Sequence, residues 1–290
     1  MKKSLQYLGS ILLTLLLIFS MLGTVGVMLV RHRALNPTTC KQLIESENLP
    51  TQVHDSLHAY YVQQENTTGI PVSAYENILA EDCLREMMET SVKRGFAYLN
   101  GETDTVKAQL DFAVLESDLT AFFNKYAEEN NCEKDAVFDE TLAKAISTAE
   151  SNIQVSTDIF RFASLEDAGV LKKAKRVMPY LPKLEIACIA ADVLLMILLV
   201  ILHRKKLRDV VYWIASAVFC ASNLMLVPAL WVEKTQWFDR FAVKSAQIFA
   251  AVTGYLYGLT GTVITVGICG LVLAILLWGL RLIGKKQRSV

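Results

Sequence analysis

The chain has no G-x-x-x-x-G-K-[S/T] loop to cradle phosphates and no G-x-S-x-G turn to present a nucleophilic serine. It has no G-x-G-x-x-G after a strand and no C-x-x-C pair. P-loop hydrolysis, serine-hydrolase chemistry, dinucleotide binding and thioredoxin-like redox chemistry therefore lack their sequence basis. Charge of one sign is missing too, since 29 basic residues balance 29 acidic ones. A nucleic-acid binder carries a basic patch on a folded domain, and none is visible. The expectation is a non-enzymatic protein with no cofactor and no nucleic-acid partner.

What the chain does have is apolar sequence in blocks. Hydrophobic residues make up 53% of it, above the roughly 45–50% usual for soluble domains. Four runs carry the excess: residues 8–30, 184–202, 210–232 and 255–280. A helix needs about 20 apolar residues to cross the hydrocarbon core, so each run suits a transmembrane helix. The first is longer than a signal-peptide core and lacks an Ala-x-Ala site, which favours an uncleaved anchor over a cleaved leader.

Orientation follows from the positive-inside rule. If four helices alternate, Lys2-Lys3, the cluster from Arg204 to Arg208 and the tail with Lys285, Lys286 and Arg288 share one side. That side is the cytoplasm, with both termini in it. Residues 31–183 are then extracytoplasmic. Arg31, Arg33 and the cluster from Lys172 to Arg176 dissent, at the ends of a long translocated segment where the rule is weak. The Arg204 to Arg208 run reads as a topology signal, with anionic-lipid contact secondary. No cytoplasmic piece is long enough for a kinase, nuclease or ATPase domain.

Residues 31–183 hold 24 acidic and 16 basic residues, a net charge of −8, and are enough for one domain. The pattern is mainly helical. Apolar residues from Tyr75 to Leu99 keep three-and-four spacing, with Ser73 and Glu76 as a capping box and Gly101 as the stop. A second helix is expected near Ser117, burying Leu119, Phe122, Phe123 and Tyr126. A third covers residues 135–151. A fourth starts after Ser164 and runs towards the second span, broken by Pro179 and Pro182. Residues 106–114 alternate with period two and predict an extended segment. Residues 233–254 read as an amphipathic interfacial helix carrying Trp237, Phe238 and Phe241. The fold class is thus mainly α: a four-helix transmembrane bundle with a large helical extracytoplasmic domain inserted between spans 1 and 2. Residues 1–30, 31–183 and 184–290 are its parts.

Two stretches carry a resemblance. One is Ala97-Tyr98-Leu99-Asn100-Gly101-Glu102-Thr103-Asp104 followed by an extended apolar segment. The other is Asp158-Ile159 and then Leu165-Glu166-Asp167-Ala168 leading into the second span. Over roughly residues 70–200 the layout resembles a group of uncharacterised bacterial multi-pass membrane proteins with a helical extracytoplasmic domain between the first span and a later cluster of spans. The likeness implies this architecture and a bacterial cell membrane. It implies no site.

Five groups of residues compete for a role. Asp192 lies inside the second span, where a charge is costly and faces a bundle interior or a cavity. Asn223, Thr262, Thr265, Ser20 and Thr24 fall at similar depth, so the four spans share a candidate polar layer. It is either a hydrogen-bond cluster around a protonated Asp192 that fixes packing, or an ion or proton site. His54 and His58 stand at i and i+4, a zinc-ligand spacing with Asp55 where a metalloprotease has its base, yet no third ligand is evident. The bland alternative is two surface histidines on a helix burying Val53, Leu57, Tyr60 and Tyr61. Three cysteines lie outside the spans, and Cys40–Cys132 is the preferred disulfide, with all three reduced as the alternative. Gly254 and Gly258 form a G-x-x-x-G for helix packing or a homo-oligomer seam. Asn66-Thr67-Thr68 is a glycosylation pattern that matters only in a eukaryotic secretory pathway.

The expected function is a membrane protein whose extracytoplasmic domain binds or senses an envelope partner, contacting the lipid bilayer and a protein partner or a second copy. The alternative is an oligomeric channel or ion-coupled transporter built on the Asp192 layer.

Overall fold

The structure is a computed structural model and describes residues 2–204, 206–243 and 245–286. It is 84% helical, with no strand among the described residues, so the mainly-α expectation holds. Four helical stretches are long and apolar enough to cross a membrane: Gln6–Ala34, Val170–Leu202, Arg208–Lys234 and Ala246–Leu280. These are the features of a multi-pass membrane protein. The chain forms two compact units. One comprises Met1–Asn36, Pro179–Phe241 and Leu256–Val290; the other comprises Pro37–Met178 and Ala242–Tyr255.

In the first unit, α1 (Lys2–Leu29) passes into a π-helical turn, Val30–Ala34. The second span, α10 (Leu181–Leu202), follows a 3-10 turn at Met178–Tyr180, where Pro179 and Pro182 break the helix as expected. The third is α11 (Leu207–Lys234), which carries Pro228 inside it. Leu17 and Ile18 of α1 bury against Leu199 of α10 and against Val210, Ala217 and Ala221 of α11. The small residues of α11 let these backbones approach. Three spans thus share one core, and the fourth, in α12 (Ala246–Lys286), adds to it through α11. A Cβ on Gly267 would lie 3.0 Å from Leu226 Cβ, and one on Gly270 only 2.1 Å from Ser222 Oγ. Packing between the third and fourth spans therefore falls to Gly267 and Gly270 instead of the expected Gly254 and Gly258. Gly258 faces open space, and a Cβ on Gly254 would meet Glu47 at 3.0 Å within the other unit.

The second unit is a helical domain of α2 (Pro37–Ser46), α3 (Leu49–Thr68), α4 (Glu76–Leu79), α5 (Glu81–Leu99), α6 (Ala113–Glu129), α7 (Ala136–Thr157), α8 (Phe162–Asp167) and α9 (Val170–Val177). Helix α5 is its hub and packs on α2, α3, α7 and α9. Leu84, Met88 and Val92 on α5 are fully buried. Each such side chain stabilises the fold by about 1.5–3 kcal/mol. Gly101, at φ +80°, ends α5 in a Schellman turn. There the Glu102 N–H donates to Ala97 O at 2.9 Å and the Gly101 N–H to Tyr98 O at 3.0 Å. Asp135 caps α7 by accepting from the N–H groups of Val137 and Phe138.

Several boundaries differ from expectation. The helix from Ser73 is interrupted: Ala80 is extended at ψ 135° and separates α4 from α5, and Ser73 sits in a 3-10 turn rather than capping a long helix. Helix α6 starts at Ala113, four residues before Ser117. Helix α8 starts before Ser164 because the Asp158 carboxylate accepts from the N–H groups of Phe162 and Ala163, at 2.9 and 3.0 Å. Residues 105–112 are neither helix nor strand. Their carbonyls find side-chain donors instead of a ladder. Arg94 Nε reaches Thr105 O at 3.1 Å, and Gln154 Nε2 reaches Ala108 O at 3.3 Å.

The interfacial helix expected over 233–254 is also corrected. Helix α11 runs to Lys234, a 3-10 turn covers Trp237–Arg240, and α12 begins at Ala246. Lys244 lies outside the described residues. Ala242–Tyr255 belongs to the helical domain, where Ala251 is fully buried and Gln247 Nε2 reaches Ser56 Oγ at 3.4 Å. The domain is therefore discontinuous in sequence, which apolar periodicity does not reveal.

Candidate functional site

Helices α3, α6 and α7, with the turn around Tyr75, surround a cavity of about 490 Å³. That volume is in the range of small-molecule sites. Six rings line it: Tyr60, Tyr61, Tyr75, Phe122, Phe123 and Tyr126. Tyr61 and Tyr75 stack with centroids 3.9 Å apart and an interplanar angle of 14°. Phe122 meets Phe123 edge-on at 5.7 Å and tilts against Tyr126 at 6.3 Å. Sequence spacing explains these contacts: Phe122 and Tyr126 are one helical turn apart on α6.

Two polar features stand out against this apolar wall. The Tyr61 hydroxyl is buried and has no hydrogen-bond partner among the described residues, and the side chain as a whole is 4% exposed. An unpaired buried hydroxyl costs about 1–3 kcal/mol. Burial, with Tyr75 and Tyr60 alongside, pushes its ionisation well up, so the phenol stays a donor. Tyr75 is pushed up to about 12 by burial and by the neighbouring Tyr60. The second feature is Lys144 of α7, the single charged side chain on the lining. Asn152 also lines the cavity and donates to Tyr60 Oη at 3.2 Å.

The intramembrane layer is assembled only in part. Thr24 Oγ1 donates to Asp192 Oδ2 at 2.6 Å, joining α1 to α10, and Asp192 Oδ1 is buried without a partner among the described residues. Thr24 Oγ1 also lies 3.1 Å from the Ser20 carbonyl, so Ser20 enters this tie through its backbone. Asn223, Thr262 and Thr265 donate to Phe219, Gly258 and Gly261 carbonyls one turn back on their own helices. Equal depth in sequence placed them together, but each spends its donor locally. The pair is one tie in a longer antiparallel seam. Arg31 and His32 hold the buried Glu185 at one end, with His32 Nε2 3.1 Å from Glu185 Oε1. At the other end Gln6 Nε2 donates to Leu202 O at 2.7 Å, and Ser10 Oγ lies 3.3 Å from His203 Nε2.

The histidine pair sits on α3, with His54 tied to the domain. His54 Nδ1 lies 2.8 Å from Leu79 O, the carbonyl at the break between α4 and α5, and the two imidazoles stack 5.8 Å apart. No cluster of three metal-ligand side chains occurs among the described residues, so His54 and His58 gain no third ligand. The Cys40–Cys132 disulfide is not formed. Cys40 is buried on α2, Cys132 is exposed beyond α6, and Cys83 is half-buried. Burial pushes the Cys40 thiol up to about 12, leaving little thiolate. A water-soluble iodoacetamide at pH 8 should therefore alkylate Cys132 at least about 100-fold faster than Cys40. Equal protection of both until a reductant is added would show a disulfide instead.

The chain matches no protein family, no curated protein and no solved structure with which it was compared.

Proposed function

We propose that the protein is a membrane-tethered, non-enzymatic binding protein whose helical domain takes a flat apolar ligand into the aromatic cavity. One observation carries this reading: six rings line about 490 Å³ of space. The space opens to the surface beside Tyr60 and Tyr126, which are exposed, so a flat ligand has a way in. The spans hold the domain at a bacterial cell membrane. The basic clusters at Lys2-Lys3 and Arg204 to Arg208 support cytoplasmic termini and an extracytoplasmic domain. Arg31, which counts against that orientation, is paired with buried Glu185, which blunts its vote. In both α10 and α12, 11% of the most apolar window is buried within the chain. Those faces are available to lipid, a second copy or a partner that receives the binding signal.

The test uses the full chain in phosphatidylcholine nanodiscs with 2-naphthylmethanol as the probe, followed by calorimetry. Saturable one-to-one binding is expected in the wild type. Ala145→Trp and Thr148→Trp, which fill the cavity from α7, should each weaken it at least about ten-fold while the thermal midpoint is kept. Binding unchanged in both variants would refute the reading.

A second reading, an oligomeric channel or ion-coupled transporter, draws on the unpartnered Asp192 Oδ1. That oxygen is enclosed within the chain beside α1, so a coupling ion would have to reach it through the bundle. Under the binding-protein reading Asp192→Asn keeps the Thr24 hydrogen bond and changes no ion flux in proteoliposomes. A proton or cation flux present in the wild type and lost in Asp192→Asn would favour the transporter.

A further inference from the structure

The cavity's charge pattern narrows the ligand class. The segment 31–183 carries a net charge of −8, yet no aspartate or glutamate lines the cavity. Its single charge is Lys144, which forms no ion pair among the described residues. Excess acidity over the domain and none at the cavity is an arrangement that spares a bound anion from repulsion. The Tyr61 hydroxyl is enclosed and adds no handle to the open lining. The one charged group on the lining therefore asks for an acceptor, and no carboxylate there answers it.

An aromatic cage of this kind can also take a quaternary ammonium through cation–π attraction. Lys144 at the lining opposes that, because a second cation would lose to like-charge repulsion what the rings supply. A neutral ring would leave Lys144 unused. Building on the reading of the cavity as a binding site, we infer that its ligand is a small amphipathic anion. A flat ring system lies among the six aromatic side chains, and a carboxylate-like or sulfonate-like group is held by Lys144. Charge-assisted hydrogen bonds of this type are about twice as strong as neutral ones. The domain's overall negative charge is screened beyond about 8 Å at physiological salt, so it slows the approach of the anion without deciding its affinity.

The test compares three probes of one ring and different charge: naphthalene-2-sulfonate, 2-naphthylmethanol and (2-naphthylmethyl)trimethylammonium. Each is titrated into the full chain in neutral phosphatidylcholine nanodiscs. The sulfonate is expected to bind about ten-fold more tightly than either of the others. Lys144→Gln should reduce it to the affinity of the alcohol, and Lys144→Glu should reverse the order in favour of the ammonium. If the alcohol or the ammonium binds as tightly as the sulfonate, or Lys144→Gln changes nothing, the anion inference is overturned while the cavity remains a binding site. If none of the three binds, or Ala145→Trp and Thr148→Trp bind all three as the wild type does, the binding reading itself fails and the inference falls with it.

Discussion

Gly95→Ala is expected to destabilise the helical domain by about 1–3 kcal/mol, the range for overpacking a filled core. In an exposed helix the same change would stabilise by up to about 1 kcal/mol, because alanine is the better helix former. The sign reverses here because a Cβ on Gly95 would lie 2.6 Å from the Phe162 ring. That ring cannot easily withdraw. Phe162 opens α8, its N–H and that of Ala163 are held by the Asp158 carboxylate, and Arg161 just before it is left-handed at φ 55°. Phe162 also packs edge-on against Phe96 at 5.9 Å. For a domain of this size the thermal midpoint should fall by about 2–4 °C per kcal/mol. Phe162→Leu in the Gly95→Ala background should recover part of the loss, giving a favourable coupling energy in the double-mutant cycle. A Gly95→Ala protein as stable as the wild type would show that the close approach is not maintained.

Gly267→Leu should detach the fourth span from the third. Without hydrophobic driving force between helices in lipid, close packing does the holding, and small residues make it available. A Cβ at Gly267 already meets Leu226 Cβ at 3.0 Å and the Ser222 carbonyl at 3.4 Å, and a leucine adds three more carbons. Phe219 and Trp278, whose rings lie 5.1 Å apart, report the same contact. With the native cysteines replaced and cysteines placed at 219 and 278, a short bifunctional maleimide should join the helices efficiently. Gly267→Leu should lower that yield several-fold. Gly258→Leu should leave it unchanged, because Gly258 meets nothing within 4 Å. Equal losses from both variants would restore the G-x-x-x-G at Gly254 and Gly258 as the packing motif.

That contrast shows where the sequence was legible. The four spans are legible as long apolar runs, which have few other stable uses, although the helical stretches holding the second and fourth begin earlier, at Val170 and Ala246. Gly101 is legible as a stop because a left-handed turn after a helix is local chemistry, whereas the Asp135 cap shows only in the structure. What failed was information about partners. G-x-x-x-G spacing says that a helix has a smooth strip, and the neighbouring helix decides which strip is used. Equal depth put Asn223, Thr262 and Thr265 beside Asp192, but side chains that can bond one turn back on their own helix do so. Residues 233–254 read as interfacial because they are amphipathic, whereas Ala251 and Gln247 bury within the helical domain.

The cavity was missed for a related reason. Periodicity predicts that Phe122, Phe123, Tyr126, Tyr60 and Tyr61 are buried, yet only Tyr61 is, while Tyr60 and Tyr126 are exposed, because periodicity marks one face of a helix without saying whether the space it faces is filled. The retrievable signal was the density of aromatic residues on α3 and α6 together with Lys144, a lone cation on the α7 face that meets them.

Photolabelling with a diazirine-bearing naphthalene, in the full chain in nanodiscs, tests the central claim most directly, because it reports where a flat ligand sits. Saturable labelling is predicted on peptides from α3, α6 and α7, displaced by excess 2-naphthylmethanol and lost in Ala145→Trp. Labelling confined to α1, α10, α11 and α12, and indifferent to the competitor and to Ala145→Trp, would contradict the account.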